Sequence, residues 1–319
     1  MQNTIKTVLK GAAMGIAEVI PGVSGGTIAF ITGIYERLLN AIKGINPSLI
    51  QVFKQDGIKG VLKAVDAFFL IKLFIGMAIG FLVGLKVIVG LLESHPVHIW
   101  SFFFGLILAS IPLVAKQVKK WGGLEIGMMV FGAALVYWVT IAGPSQGSEN
   151  LAVVFVAGVV GVSALMLPGL SGSFVLLLMG MYTIIMPAIE EFTHNPFGPE
   201  TTMLLVFGLG LLIGLFSFAR LLSFTFKKFP NQTLALLSGF LIGSLNKVWP
   251  WQKVLETRTN SKGVEVVQFS ESVLPNTFAR LPENFLYGTN PYILEAVLVI
   301  AIAIVLVYLL DRFSPENEL

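Results

Sequence analysis

Two apolar stretches of this chain, 8–42 and 151–189, are each cut in the middle by nearly the same sequence, Pro21-Gly22-Val23-Ser24-Gly25-Gly26 and Pro168-Gly169-Leu170-Ser171-Gly172-Ser173. Proline removes a backbone donor and clashes with the preceding turn, and glycine loosens a helix, so neither stretch reads as one straight helix. Each arm is then about 16 residues, roughly 24 Å, short of the ~30 Å hydrocarbon core of a bilayer. Irregular backbone at that depth is tolerated only where protein or a water-filled cavity covers it. The breaks therefore predict a polytopic membrane protein with discontinuous helices around an internal site.

Composition agrees. Only 12% of the 319 residues are charged and the mean hydropathy is +0.84, against roughly a quarter charged in soluble domains. The absence of cysteine excludes disulfides, thiolate metal sites and thiol redox chemistry. His95, His98 and His194 all fall in expected loops, so no histidine-based metal centre is expected, and no cofactor. The N-terminal segment has no small-residue cleavage site and reads as mature, not as a signal peptide. The pI near 9.0 reflects lysines between spans and carries no signal for nucleic acid.

Six stretches are long enough to span: 68–92, 97–115, 123–143, 201–226, 231–247 and 291–311. The positions of Lys and Arg orient them by the positive-inside rule. Lys6 and Lys10 precede the first break and Arg37, Lys43, Lys54, Lys59 and Lys63 follow it, so both flanks are cytoplasmic and stretch 8–42 is a re-entrant hairpin, not a crossing. Loops 92–98 and 142–151 lack cations, whereas loop 115–122 holds Lys116, Lys119 and Lys120. The second hairpin, 151–189, is flanked by acidic segment 190–200 and enters from outside; Lys227, Lys228 and Arg312 return the chain to the cytoplasm, which also holds both termini. Segment 248–290 is external despite Lys253, Arg258, Lys262 and Arg280. Within it, 254–259 and 264–270 flank the turn-like Asn260-Ser261-Lys262-Gly263, a small hairpin cap with Trp249 and Trp251 expected at the interface.

A shift of 147 residues places Gly11 on Gly158, Pro21 on Pro168, Ser24 on Ser171, Gly33 on Gly180 and Tyr35 on Tyr182. A shift of 134 places Gly76 on Gly210, Gly80 on Gly214, Lys86 on Arg220, Gly105 on Gly239 and Ser110 on Ser244. The expected fold is thus all-α, with two inverted-topology repeats, 1–145 and 146–319, each a re-entrant helical hairpin plus three transmembrane helices. An odd number of crossings per half forces the inversion. Such repeats underlie alternating-access transporters that bind substrate near the bilayer midplane; a duplicated scaffold without transport is the rival.

Ser24, Gly25, Gly26 and Thr27, with Ser171, Gly172 and Ser173, open new helix arms whose unpaired amides and hydroxyls suit a phosphate or carboxylate. As plain hairpin tips with N-caps they would need no ligand. Lys86 and Arg220 lie inside apolar runs at equivalent positions and need a partner, an anionic ligand, or an interface to snorkel to. Glu18, whose repeat equivalent is Leu165, is a candidate proton or sodium coupling site or simply a partner for a nearby cation or amide.

The run from Glu18 to Arg37, EVIPGVSGGTIAFITGIYER, resembles the signature of a bacterial membrane family, formerly a domain of unknown function, now regarded as undecaprenyl-phosphate transporters; the resemblance extends over essentially the whole chain. It implies a flippase in the bacterial cytoplasmic (inner) membrane, with undecaprenyl phosphate and membrane lipid as partners. Its task would be return of the lipid carrier from the outer to the inner leaflet for cell-wall and envelope polymer synthesis. The headgroup would sit between the hairpin tips. One alternative is an enzyme like undecaprenyl-pyrophosphate phosphatase, which shares inverted repeats and a Pro-Gly-x-Ser break. That enzyme has Arg beside the Ser and clustered glutamates, where this chain has Gly25 and a solitary Glu18, so hydrolysis is poorly provided for. The other is an ion-coupled transporter of a small soluble anion, which would lack a lateral opening to lipid.

Overall fold

The computed structural model describes residues 2–19, 24–259, 265–281 and 290–313. The first half begins with α1 (Gln2–Glu18), the short α2 (Gly25–Ile31) and α3 (Tyr35–Gly44). It continues with α4 (Leu49–Ala64), α5 (Ala67–Ser94), α6 (Pro96–Ala115) and α7 (Gly123–Ile141). The second half repeats the order: α8 (Leu151–Met166), α9 (Gly172–Leu178), α10 (Tyr182–His194), α11 (Glu200–Lys228) and α12 (Pro230–Ser244). Then come β1 (Gln252–Thr259), β2 (Glu265–Ser272), α13 (Pro275–Phe278) and α14 (Ile293–Phe313). Pro21, Gly22 and Val23 of the first break, and the turn 260–263, lie outside the described residues.

Local chemistry sets these boundaries. Pro96 and Pro230 open α6 and α12, where their missing N–H costs nothing. Asn150 caps α8 by accepting from Ala152 N (2.9 Å), and Glu125 reaches back to Gly122 N (3.0 Å) at the start of α7. After α2 and α9 the chain turns at Gly33 (φ +72°) and Gly180 (φ +66°). Both ends close the same way: Gly33 N donates to Phe30 O and Ile34 N to Ala29 O, while Gly180 N donates to Leu177 O and Met181 N to Leu176 O. The expected second arm of each hairpin is therefore itself broken, with α9 and α10 meeting at 112°.

Among the described residues, α5, α6, α7 and α11 are long and apolar enough to cross a membrane, and α9 with α10 would add a fifth bent span. α12 stops at Ser244, three residues before the expected end, and is short at 15 residues. Exposed Phe74, Ile79 and Leu82 of α5, Phe131 and Trp138 of α7, and Leu298 and Ile302 of α14 give the bundle an apolar outer surface, as a lipid solvent requires. The small hairpin expected within 248–290 is the antiparallel β1–β2 pair, Gln252 facing Ser272 and Thr259 facing Glu265, set on an otherwise helical fold. His98 lies within α6 and His194 within α10 instead of in loops. Trp251, expected at an interface, is 5% exposed in a cluster with Val97, Phe278 and Ala296, and its Nε1 donates to Pro291 O (2.7 Å).

Packing is duplicated in register. α1 lies on α5 and α8 on α11, while α7 packs on α12 and α6 on α14. A Cβ on Gly11 would strike Leu73 O and one on Gly158 would strike Phe207 O; Gly76 and Gly210 are likewise held against Val8 O and Phe155 O. Each of these four pairs maps onto its counterpart through the shifts of 147 and 134. Small residues let the backbones touch, which is how helices associate where lipid supplies no hydrophobic drive. One end of the bundle gathers the start of α6, the end of α12, the β-hairpin and the start of α14. The other gathers the ends of α6 and α14, joined by Lys116 Nζ and Asp311 Oδ2 (2.7 Å), and the starts of α7 and α12, joined by Gln232 Nε2 donating to Glu125 Oε1 (2.7 Å).

Candidate functional site

The two broken segments meet in the middle of the bundle. Ser24 Oγ, which caps α2 by accepting from Gly26 N (3.0 Å), donates to Leu165 O at the end of α8 (2.9 Å). Thr27 Oγ1 accepts from Gly169 N (2.9 Å), and Tyr35 OH donates to Met166 O (2.7 Å). Gly25 N donates to Glu18 Oε1 (2.7 Å). Ser24, Thr27 and Ser171 are almost fully buried. Backbone groups orphaned by the second break are thus satisfied by side chains of the first, which locks the tips together. A Cβ on Gly26 would sit 3.1 Å from both Leu165 O and Met166 O, so only glycine gives that approach without a shift. Of the residues expected to hold phosphate, Ser24, Gly25, Gly26 and Thr27 spend their polar groups on this junction. Ser171 and Ser173 bond each other through their hydroxyls (2.9 Å); Gly172 packs against Gly161 O, while Ser173 lines a cavity.

That cavity, about 410 Å³, lies between the tips and the β-hairpin. Glu18 and Ser173 come from the two tips, Trp100 from α6, and Gln252, Gln268 and Ser270 from the strands. Its remaining wall is apolar, with Phe81 and Leu85 on α5 facing Leu177 and Met186 on α9 and α10; Phe81, Leu85 and Met186 are each more than 40% exposed, so this wall reaches the outer surface of the bundle.

Lys247 supplies the charge. Its Nζ stands 4.3 Å from the centroid of the Phe174 ring, and among the described residues no carboxylate lies within ion-pair distance of it. Gln252 fixes the turn that carries it: Nε2 donates to Lys247 O (2.8 Å) and Trp249 O (3.1 Å), while Oε1 accepts from Ser270 Oγ. A cation over an aromatic face gains only about 0.5–2 kcal/mol, less than the several kcal/mol that enclosing a charge costs. Trp100, 6% exposed, borders the same cavity, and its Nε1–H has no acceptor among the described residues. An under-compensated ammonium and an indole N–H without an acceptor among the described residues, beside the Ser173 hydroxyl and the Gln268 side chain, are chemically suited to an oxyanion.

Lys86 and Arg220 are not brought to this cavity. Lys86 is exposed on α5 and makes no hydrogen bond or ion pair among the described residues. Arg220 serves the opposite end, donating through Nη1 to Phe216 O (3.0 Å) and through Nη2 to Ile45 O (3.2 Å). Beside it a small cavity of about 50 Å³ is lined by Glu36, Asn40, Ser223 and Lys227. Sequence reasoning missed Lys247 because it closes the expected span 231–247 and its repeat equivalent is Leu113, so no duplicated cation marked it. A cation ending an apolar run was the available signal. Trp100 carried no signal, since its orphan donor is a property of packing. Among the described residues no group of three metal-ligating side chains occurs.

Residues 14–266 match the family described as undecaprenyl phosphate translocase-like. A polyprenyl-phosphate transporter of Vibrio cholerae serotype O1 is 39% identical over 314 residues, 98% of either chain. A polyprenyl-phosphate transporter of Staphylococcus aureus is 32% identical over 260 residues, 76% of this chain and 85% of its own. No solved structure matches the chain.

Proposed function

The chain belongs to the undecaprenyl phosphate translocase-like family, and from that premise we propose that it carries undecaprenyl phosphate from the outer to the inner leaflet of the cytoplasmic membrane. The carrying observation is the cavity that Lys247 and Trp100, both without an anionic partner among the described residues, share with Ser173 of the second tip. The phosphate binds there, accepting from the Lys247 ammonium, the Trp100 indole, the Ser173 hydroxyl and the Gln268 amide. The polyprenyl tail leaves across the apolar wall between α5 and α10 and stays in lipid. That lateral apolar wall favours a lipid over a small soluble anion.

The two halves are inverted repeats. Parallel packing of α1 on α5 (Val8 at Gly76, Ala12 at Gly80) recurs as α8 on α11 (Phe155 at Gly210, Val159 at Gly214), which supports duplication, and α6 starts at the end of the bundle where its equivalent α12 finishes, which supports inversion. With the lysine-rich loops inside, the β-hairpin end is external and the cavity receives the headgroup from the outer leaflet. Glu18 shares the cavity with Lys247 and is the coupling candidate; its bond from Gly25 N ties any change in its charge to the tip. The site suits holding and releasing a phosphate better than cleaving one: Ser173 is paired with Ser171, and among the described residues neither hydroxyl has a general base bonded to it.

The test is reconstitution in vesicles of phosphatidylethanolamine and phosphatidylglycerol, following the movement of fluorescent polyprenyl phosphate between leaflets. Accelerated movement of the phosphate but not of the parent polyprenol is expected. Equal rates for the two would reject a headgroup site. Imposed proton and sodium gradients, with Glu18→Gln, identify the coupling ion.

A further inference from the structure

The duplicated packing fails at the 410 Å³ cavity. α3 packs on α11, but their equivalents, α10 and α5, stand on either side of the 410 Å³ cavity, contributing Tyr182 and Met186 from one and Phe81 and Leu85 from the other. The α3–α11 contact is extensive in kind. Arg220 Nη2 donates to Ile45 O (3.2 Å), Lys43 Nζ to Ser223 Oγ (3.2 Å) and Ser223 Oγ to Asn40 Oδ1 (3.3 Å). The rings of Tyr35 and Phe226 lie 6.0 Å apart. One end is latched and the other is parted, although the sequence builds both from related parts.

From this asymmetry we propose that Lys86 is the latch of the opposite-facing state, in which α5 closes on α10 as α3 parts from α11. The shifts of 134 and 147 carry Arg220 to Lys86 and Ile45 to Phe192, so Lys86 donates to the Phe192 carbonyl near the end of α10. The same shifts carry the Phe226–Tyr35 contact to Leu92 and Tyr182. Closure brings Met186 towards Leu92 and collapses the apolar wall of the cavity, while release of Arg220 opens the small cavity at Asn40 and Ser223 to the other face. Exchange of conformation between two inverted halves is the physical basis of alternating access. It accounts for an exposed, unpartnered Lys86 occupying the position of a cation that is fully engaged in the other half. Only one latch engages at a time because the interlocked tips couple the halves.

This inference rests on the transport reading, and the absence of cysteine from the chain makes it directly testable. Two pairs are introduced, Asn40→Cys with Ser223→Cys for the state seen and Leu92→Cys with Met186→Cys for its opposite; Leu92→Cys with Thr183→Cys duplicates the second. Oxidation is followed in the proteoliposomes described above, with melting in detergent as the check on folding. The first pair is expected to link at rest and the second more slowly, each link stopping lipid movement, with no molecule carrying both. Lys86→Ala should lower the yield of the Leu92/Met186 link about tenfold, ~1.4 kcal/mol, leave the first link unchanged, and be rescued by Lys86→Arg. Folded protein in which neither second pair links, or in which both links coexist, overturns the proposal. Mutually exclusive links in a protein that does not move polyprenyl phosphate uphold the two states and reject the substrate, so the two failures are distinct.

Discussion

Replacing Lys247 separates function from stability with opposite signs. In the structure its ammonium has the Phe174 face at 4.3 Å and, among the described residues, no carboxylate, so the unliganded protein gains little from the charge. Lys247→Met keeps the chain's length and apolar stem. Exchanging a poorly compensated enclosed cation for an apolar residue is neutral to stabilising, so the melting temperature in detergent should stay level or rise. With phosphate bound, a charge-assisted hydrogen bond is worth about 1.5–3 kcal/mol. Its loss weakens headgroup affinity by roughly 10- to 150-fold. Lys247→Arg retains the charge and should recover part of the loss, the larger planar guanidinium fitting less well over Phe174. Equilibrium binding of a short-chain polyprenyl phosphate and leaflet transfer of the labelled lipid read the effect together. A Lys247→Met protein that binds and transfers normally would remove Lys247 from the site. One that fails to fold would show that the cation is already compensated in the empty protein.

Trp100→Phe deletes the indole N–H while keeping an aromatic ring, and should cost about 1 kcal/mol of headgroup affinity, roughly fivefold, with a small fall in melting temperature from the buried volume lost. Thr27→Val removes the acceptor for Gly169 N, a buried donor at the junction of the tips; destabilisation of about 1–3 kcal/mol is expected, read as an earlier thermal transition, and Thr27→Ser should retain most of the stability. Gly158→Val drives a side chain into the Phe207 carbonyl and should destabilise by ~3 kcal/mol or more, as should Gly11→Val against Leu73 O; folded, unshifted variants would contradict the close helix contact.

The glycine register shows how far one sequence reaches. Gly11, Gly76, Gly158 and Gly210 stand out as duplicated positions, and duplication required that both halves use them alike; the structure places each against a carbonyl of the partner helix. Apolar length located the long helices for the same reason, since a lipid solvent demands it at every residue. Broken segments were harder. The sequence marked where Pro168 and Gly169 interrupt a helix, but Gly33 and Gly180, seen only as matched glycines, turned out to end α2 and α9 in left-handed turns, a local choice made by packing.

The site divides along the same line. That two related Ser-Gly segments break the helices was legible, because proline, glycine and repetition all act along the chain. How they meet was not. Thr27 answering Gly169, and Ser24 answering Leu165, are pairings 142 and 141 residues apart, made because a buried donor or acceptor costs too much to leave alone. That junction consumed the polar groups of Ser24, Gly25, Gly26 and Thr27, and the site proposed instead joins Ser173 to Lys247 and Trp100, which no spacing connects. The sequence by itself determined a membrane solvent, a twofold internal plan and two discontinuous segments, each a consequence of apolar length, proline and glycine. Only the tertiary structure decided which polar groups remain unspent and that the latch at Arg220 is closed while its counterpart at Lys86 is not, because those outcomes depend on which distant atoms satisfy one another.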